Sequence, residues 1–237
     1  MSRHNKWSKI KGQKAIDDKK KGAAFTRVVK NITVAVKEKG PNPATNFKLR
    51  LAMDQAKSVN MPKENIDRAI ERASGGAGGG NFSPLVFEGF TPGGAAIVIE
   101  SLSDNSTRTA NEIKLIFSKN DGTLGAVKWM FDYFGVLAII GESVKDHDNF
   151  ELQMIEIGVI DIKNDEGTVI IYIKPQDLEK IKSAVEATGA KIEYAGLNWV
   201  AKEKIALPDP SKETLFEQFL ELLDDTEEVG EYYTNIL

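Results

Sequence analysis

Residues 135–201 read GVLAIIGESVKDHDNFELQMIEIGVIDIKNDEGTVIIYIKPQDLEKIKSAVEATGAKIEYAGLNWVA. The strand-like apolar runs in this stretch are residues 135–140, 159–162, 168–174 and 191–201. The segments with helical spacing are residues 149–157 and 175–188. The order is therefore β-α-β-β-α-β, which is the order of a ferredoxin-like unit with two helices on one face of an antiparallel sheet.

The segments on either side of this run complete a second pattern. The predicted elements are strands at residues 85–90 and 95–102 and a helix at 109–119 before it, and a helix at 212–223 and a strand at 230–234 after it. Thr109 and Glu112 have the spacing of a capping box, so Thr109 is the expected helix cap. The last helix and strand lie outside the β-α-β-β-α-β order of the ferredoxin-like unit. We therefore expect them to complete a middle α/β domain into which the ferredoxin-like domain is inserted.

The chain before residue 75 is predicted to be helical. Apolar residues recur at the spacing of one helix face, at Phe25, Val28, Val29, Ile32 and Val36. Gly40-Pro41-Asn42-Pro43 ends this helix, and a second helix is predicted over residues 45–58. A third begins near Pro62, with Asn60 as its expected cap.

A glycine-rich segment separates the helical region from the strands. Residues 74–81 contain five glycines in eight positions and no large apolar side chain, which is typical of a flexible linker. Neither phosphate-binding glycine spacing fits this segment. The sequence thus predicts an α+β protein with a helical basic domain at residues 1–80, a discontinuous α/β domain at 81–134 plus 206–237, and an inserted ferredoxin-like domain at 135–205.

The composition excludes several functional classes. The chain has no cysteine and only His4 and His147 as imidazoles, which excludes thiolate chemistry and disfavours histidine triads and two-histidine metal sites. No nucleophile has an adjacent base, so we expect no enzymatic activity, no catalytic residue, no metal and no cofactor. There is no apolar segment of membrane-spanning length and no apolar leader at the start, so we expect a cytoplasmic protein without a membrane partner.

Charge is strongly segregated along the chain. The net charge is −4, but residues 1–80 contain 18 Lys and Arg against 7 Asp and Glu, a balance of 18 − 7 = +11. The totals of 31 and 35 leave 13 against 28 for residues 81–237, a balance of 13 − 28 = −15. A basic module joined to an acidic body indicates a polyanion-binding surface on the first and a scaffold or partner surface on the second.

The basic module contains the candidate nucleic-acid-binding residues. Lysine and arginine neutralise phosphates, and an indole can stack on a base. The predicted binding residues are Arg3, His4, Lys6, Trp7, Lys9, Lys11, Lys14, Lys19, Lys20, Lys21, Arg27, Lys30 and Lys37. Arg27, Lys30 and Lys37 fall opposite the apolar face of the first helix. The residue types are equally consistent with a lysine-rich arm that is only solvated and has Trp7 folded onto the helices.

Three further basic residues are candidates for secondary anion contacts, namely Lys63, Arg68 and Arg108. Glu64 lies four residues before Arg68, and an ion pair within the helix is the favoured interpretation there. Arg108 lies in Asp104-Asn105-Ser106-Thr107-Arg108-Thr109, between a strand and a helix, where backbone N–H groups can bind an anion. Ordinary helix capping explains that segment equally well.

Several ordered motifs resemble the YebC/PmpR family of transcriptional regulators. They are His4-x-Lys6-Trp7-x-x-Ile10-Lys11, Phe25-Thr26-Arg27, Asn60-Met61-Pro62-Lys63, Phe87-Glu88-Gly89-Phe90-x-Pro92-Gly93-Gly94, Asp104-Asn105 with Arg108-Thr109, and Phe117-Ser118-Lys119. The sequence departs from the family pattern at Arg3-His4-Asn5, where the family has Gly-His-Ser. It also departs at Ala126-Val127-Lys128, where a glycine-rich segment is shortened, which weakens any inference about contacts through that loop.

The resemblance implies three domains, the third inserted within the second, and a function linked to nucleic acid. Bacterial members are described as DNA-binding transcriptional regulators, and the related mitochondrial translational activator of cytochrome c oxidase acts in translation. The leading interpretation is a non-enzymatic DNA-binding regulator of gene expression. The alternatives are a ribosome- or mRNA-associated translation factor that uses the same basic domain, and an interaction scaffold that does not bind nucleic acid. A protein partner on the acidic domains is a further expectation. The sequence does not specify an oligomeric state.

Overall fold

The computed structural model describes residues 18–75, 80–207 and 209–237. The helices are α1 (Asp18–Lys39), α2 (Phe47–Ser58), α3 (Lys63–Ser74), α4 (Ser106–Lys119), α5 (His147–Glu156), α6 (Leu178–Ala187) and α7 (Pro210–Asp225). The strands are β1 (Ser83–Phe90), β2 (Ala96–Ser103), β3 (Thr123–Leu124), β4 (Phe131–Ile140), β5 (Asp161–Asp165), β6 (Thr168–Ile173), β7 (Ile192–Ala201) and β8 (Val229–Thr234). Each predicted element is present, with shifted ends.

Helices α1 to α3 pack around one apolar core. The predicted row on α1 contributes Val28, Ile32 and Val36, which are buried against Leu49 of α2 and Ile66 of α3. Gly40 ends α1 in the left-handed region at φ +83°, which a glycine adopts without strain.

A buried asparagine joins the end of α1 to the start of α2. The Asn46 amide donates to the carbonyl oxygens of Ala35 and Gly40 at 2.7 and 2.8 Å. Its Oδ1 accepts from the backbone N–H of Leu49 at 3.0 Å, which caps α2. The side chain of Asn46 is fully buried, and both its amide N–H groups and its oxygen are hydrogen-bonded. It thereby fixes the angle of the turn between α1 and α2.

Two predicted helix caps were wrong. Asn60 has φ +57° and lies in the turn before α3, whose N-cap is Pro62 without a side-chain hydrogen bond. Helix α4 begins earlier than predicted, because Asn105 is its cap and accepts from the N–H of Arg108 at 3.0 Å. Thr109 is buried instead, and its hydroxyl bonds the hydroxyl of Ser103 at 2.7 Å.

The first sheet has the order β3-β1-β2-β8, with antiparallel pairing throughout. Strand β8 therefore lies beside β2, although about 130 residues separate them in sequence. Helices α4 and α7 cover one face. Phe117 of α4 and Phe219 of α7 meet edge to face, with ring centroids 5.0 Å apart, over Ile97 and Ile99 of β2. The last helix and strand complete the α/β layer that precedes the ferredoxin-like run.

The second sheet has the order β5-β6-β4-β7. Its strands alternate with α5 and α6 in the order β-α-β-β-α-β, and β6 pairs antiparallel with both β4 and β5. This is the ferredoxin-like arrangement predicted from the sequence, and the prediction is confirmed. Its central strands are buried along almost their whole length, including Val136–Ile139 and Val169–Ile171.

The chain separates into two compact units. One consists of the chain up to Met130 together with Ala201–Leu237, and the other is Phe131–Val200. The second unit is inserted between the two segments of the first. The finer division into domains at residues 1–80, 81–134 plus 206–237, and 135–205 stays a prediction.

We predict that Gly89→Ala destabilises the first sheet. A methyl group at Gly89 would overlap the carbonyl oxygen of Thr123 and lie 2.6 Å from the ring of Phe117, so β3 and α4 would both have to shift. We expect a loss of about 1–3 kcal/mol in the free energy of unfolding, measured by urea denaturation.

Gly125→Ala is the matched control, because a methyl group there meets no atom within 4 Å. It should change the free energy of unfolding by less than about 0.5 kcal/mol. Equal stabilities for the two variants would contradict the close approach of β3 and α4 to β1.

Candidate functional site

The predicted nucleic-acid-binding residues fall into three groups in the structure. Arg3, His4, Lys6, Trp7, Lys9, Lys11 and Lys14 lie outside the described residues. Lys19, Lys20 and Lys21 lie in the first turn of α1. Arg27, Lys30 and Lys37 lie further along α1, and the contacts of their side chains are described.

Arg27 contacts the end of the last helix, α7, and Lys30 contacts the segment that follows it. Nη2 of Arg27 donates to the carbonyl oxygen of Asp224 at 2.6 Å. Nζ of Lys30 donates to the carbonyl oxygen of Glu227 at 3.2 Å and lies 3.7 Å from its carboxylate. The final carbonyl groups of a helix have no partner within it, and they attract cations. Arg27 therefore acts as a capping cation at the end of α7.

The remaining contacts of this face of α1 are also within the chain. Lys30 is only 8% exposed, and its ammonium lies 5.7 Å from the ring centroid of Phe82. Lys37 donates to the carbonyl oxygen of Gly80 and to Oδ1 of Asn81, at 3.0 and 3.1 Å. The face predicted to bind phosphate thus contacts residues 80–82 and 224–227.

A second polar contact lies beside these cations. Asn31 of α1 donates to Oε1 of Gln55 at 2.9 Å, and the amide of Gln55 donates to Glu231 of β8 at 3.3 Å. Together, Arg27, Lys30 and this amide pair join α1 and α2 to the C-terminal strand and helix.

Lys63 and Arg68 are exposed on α3. The expected pair between Glu64 and Arg68 does not form, since no ion pair within 4 Å joins them in the part of the chain that is described. Arg72 is exposed one turn further along the same helix. Acidic residues alternate with these cations at Glu64, Asp67 and Glu71, so α3 presents a mixed surface.

Arg108 has two carboxylate partners. Its Nη2 lies 2.8 Å from Asp104 and 2.9 Å from Glu228. The hydrogen bond to Glu228 and the charge of Asp104 raise the pKa of Arg108 above its ordinary value. The segment predicted to bind an anion is thus the start of α4, which Asn105 caps. The cation of this segment, Arg108, is already paired with two carboxylates.

Glu112 lies close to Glu228 and Arg108. Partial burial raises its pKa above the ordinary value of 4.5, and the negative charge of Glu228 raises it further, while Arg108 acts in the opposite direction. The fold therefore accommodates the neutral form of Glu112 better than the ionised form.

The sequence analysis assigned no role to the loop formed by residues 125–130. Glu88 organises this loop, because its Oε2 accepts from the backbone N–H groups of Val127 and Lys128 at 2.9 and 2.8 Å. Burial opposes ionisation of Glu88, but these two N–H groups and the Lys128 ammonium at 3.2 Å outweigh it and lower its pKa. Trp129 follows, with 70% of its surface exposed. The sequence shows an aromatic residue beside a lysine here, but not its exposure.

The described residues contain no group of three or more His, Cys, Asp or Glu side chains arranged to bind a metal ion. His147, one of the two histidines of the sequence, is the first residue of α5, and Asp146 caps that helix. None of the described helices is long and apolar enough to cross a membrane.

Comparison with known proteins identifies the family. A model described as the TACO1/YebC N-terminal domain matches residues 5–76, and one described as the TACO1/YebC second and third domain matches residues 82–236. The chain belongs to the TACO1/YebC family. The resemblance found from the sequence motifs is thereby confirmed.

Relatives and a solved structure agree with this assignment. A "Probable transcriptional regulatory protein" of Caldanaerobacter subterraneus is 40% identical over 239 residues, covering 100% of this chain and 98% of the relative. One of Thermotoga maritima is 39% identical over 238 residues, covering 99% and 93%. The crystal structure of a conserved hypothetical protein from Aquifex aeolicus superposes with a TM-score of 0.80 at 33% identity, covering 93% of this chain and 91% of that one. The TACO1/YebC family and its fold are thus shown for this chain.

We predict that Arg27→Met destabilises the protein. The variant loses a charge-assisted hydrogen bond to the end of α7, although it also removes the buried Nε–H of Arg27, which has no acceptor among the described residues. The net loss should be about 1–2 kcal/mol in the free energy of unfolding. Arg72→Met, on the exposed side of α3, is the control and should change it by less than about 0.5 kcal/mol.

We predict that Glu112→Gln stabilises the protein at pH 7 and has no effect near pH 3. The folded pKa of Glu112 is raised, so its ionised form weakens folding above that pKa, and the effect disappears below the unfolded value of 4.5. Urea denaturation at both pH values measures the difference. Glu71→Gln on α3 is the control, and a stabilisation that is the same at both pH values would contradict this account.

Proposed function

We propose that this protein is a non-enzymatic regulator of gene expression that binds nucleic acid, in the first place DNA, through its N-terminal basic region. The observation that carries the proposal is the charge balance of +11 in residues 1–80. A region of this charge releases counterions from phosphates, which gives affinity for any nucleic acid. The naming of the relatives as transcriptional regulatory proteins supports DNA as the polyanion.

The contacts of the described cations narrow the proposed binding residues. Arg27, Lys30, Lys37 and Arg108 have carbonyl or carboxylate partners within the chain. These side chains support the fold, so we propose phosphate contacts instead for the basic residues of positions 1–21. They are Arg3, Lys6, Lys9, Lys11, Lys14, Lys19, Lys20 and Lys21, with His4 and Trp7 beside them. The exposed Lys63 and Arg68 are proposed secondary contacts.

The acidic remainder of the chain has a complementary role in this proposal. Residues 81–237 have a balance of −15, which repels phosphate. Nucleic acid is thereby directed to the basic N-terminal region, and residues 81–237 offer a surface for a protein partner. No catalytic step is part of the proposal.

We predict that a triple variant, Lys19→Gln, Lys20→Gln and Lys21→Gln, reduces the salt dependence of DNA binding. Each lost phosphate contact lowers the slope of log K against log salt by about 0.9 for duplex DNA, so three contacts lower it by up to about 3. Fluorescence anisotropy with a labelled duplex at several salt concentrations measures the slope.

The control removes the same charge elsewhere, with Lys145→Gln, Lys174→Gln and Lys191→Gln in the second unit, where all three lysines are exposed. This variant should leave the slope unchanged. Equal slopes for the two triple variants would contradict a binding surface at the start of α1 and would assign the effect to overall charge.

Co-sedimentation with purified ribosomes tests DNA against the translational alternative. Under our proposal, excess duplex DNA at physiological salt abolishes any ribosome association, because both polyanions compete for the same basic region. Association that survives the competitor would contradict DNA as the preferred target and would favour a translation factor.

A further inference from the structure

Trp129 is the most exposed large hydrophobic side chain of the described chain, at 70%, with Leu152 next at 63%. Single exposed apolar residues are common on protein surfaces and need no explanation by themselves. Trp129 differs because its backbone and its ring are both fixed by hydrogen bonds.

The indole is held in one orientation. Its Nε1–H donates to the carbonyl oxygen of Ala126, three residues earlier, at 3.2 Å. The polar group of the side chain therefore has a partner within the loop, and the part presented to solvent is the aromatic surface. A ring that is already oriented loses little conformational entropy when a flat ligand stacks on it.

The backbone beneath the ring is also fixed. Glu88 accepts from the N–H groups of Val127 and Lys128, and Val127 is fully buried. The turn closes with a bond from the N–H of Met130 to the carbonyl oxygen of Val127 at 2.9 Å. The ammonium of Lys202 donates to the carbonyl oxygen of Trp129 at 3.0 Å.

The charge around Trp129 is opposite to that of the acidic remainder of the chain. The loop of residues 125–130 meets residues 201–205 through the bond from the N–H of Lys202 to the carbonyl oxygen of Met130. These two segments contain Lys128, Lys202 and Lys204 against the acid Glu203, and Glu88, whose carboxylate lies 3.2 Å from the Lys128 ammonium, brings the local balance to 3 − 2 = +1. An aromatic ring among lysines is the combination with which proteins bind single-stranded nucleic acid, by stacking on a base and attracting the phosphates.

We propose that Trp129 is a stacking platform for an unpaired base of a single-stranded nucleic acid, a second contact point besides the N-terminal basic region. The inference rests on the proposed nucleic-acid-binding function and extends it. A base in a duplex is stacked on both sides, so Trp129 distinguishes unpaired from paired strands. A protein partner is the competing occupant, but lysine is depleted at the centres of protein interfaces, whereas three lysines lie in the two segments around Trp129.

The test uses the full chain with Trp7→Phe and Trp199→Phe, which leaves Trp129 as the sole indole. Because Trp7 lies in the proposed binding region, the affinity of this background for the duplex is first compared with that of the unsubstituted chain. Twelve-nucleotide single strands of RNA and of DNA, and the matching DNA duplex, are titrated separately at constant salt. We expect both single strands to quench Trp129 emission, and the duplex to bind without quenching it. Quenching by only one of the single strands would identify that strand as the ligand and retain the platform.

Substitution of Trp129 separates stacking from charge. Trp129→Leu should weaken single-strand binding by about 5- to 100-fold and leave the salt slope unchanged, because a stacked base releases no counterion. Trp129→Phe should retain most of the affinity. Leu152→Ala, at the next most exposed position, is the control and should bind as the unsubstituted chain does.

The outcomes separate this inference from the proposed function. Single-strand binding that weakens with the triple lysine variant but not with Trp129→Leu would overturn the platform and leave the basic region as the binding surface. Absence of binding to every oligonucleotide at physiological salt would overturn the proposed function as well. Failure of the single strands to quench Trp129 while they bind would likewise overturn the platform and leave the basic region as the binding surface.

Discussion

The contact of Arg27 with the end of α7 and of Lys30 with the segment after it joins the N-terminal helices to the C-terminal part of the chain. The contact depends on hydrogen-bond geometry as well as on charge. Its shortest bond joins Arg27 to a backbone carbonyl oxygen at the end of α7 and not to a carboxylate. That carbonyl is one of the acceptors a helix leaves unsatisfied at its end. Helices α1 and α2 thereby have a defined position on the sheet, and β8, which follows α7, pairs with β2.

This contact divides the basic residues into two classes. Arg27, Lys30 and Lys37 have partners in the chain, and so has Arg108 through Asp104 and Glu228. A buried cation such as Lys30 must have such partners, and the exposed Lys37 and Arg108 are already paired, whereas a phosphate-binding cation must be accessible to its ligand. The positive charge of residues 1–80 therefore serves the fold in one part, and in our proposal it serves nucleic acid in the other. The acidic remainder of the chain also contains an accessible side chain on a fixed backbone. Glu88 fixes the loop of residues 125–130, and the ring of Trp129 in this loop is exposed.

The sequence predicted the elements well and the long-range contacts poorly. Period-two and helical patterns give the β-α-β-β-α-β order, because they depend on neighbouring residues. The caps of α3 and α4 were misplaced because Asn60, Thr109 and Asn105 all have side chains suited to capping. Only the backbone geometry shows that Asn105 is a cap and that Asn60 is not. The helical wheel separated Arg27 and Lys30 from the apolar face correctly. It could not show that this second face is also covered, because the covering segment lies 197 residues away.

Lysine acetylation with and without nucleic acid is the most direct test of this division. A limiting dose of acetic anhydride on the free protein, read by mass spectrometry, should modify Lys30 far more slowly than Lys63, since Lys30 is 8% exposed and Lys63 is exposed. Addition of saturating nucleic acid should protect Lys19, Lys20 and Lys21 and leave the rate at Lys30 unchanged. Rapid modification of Lys30 in the free protein, with protection by nucleic acid, would contradict the account.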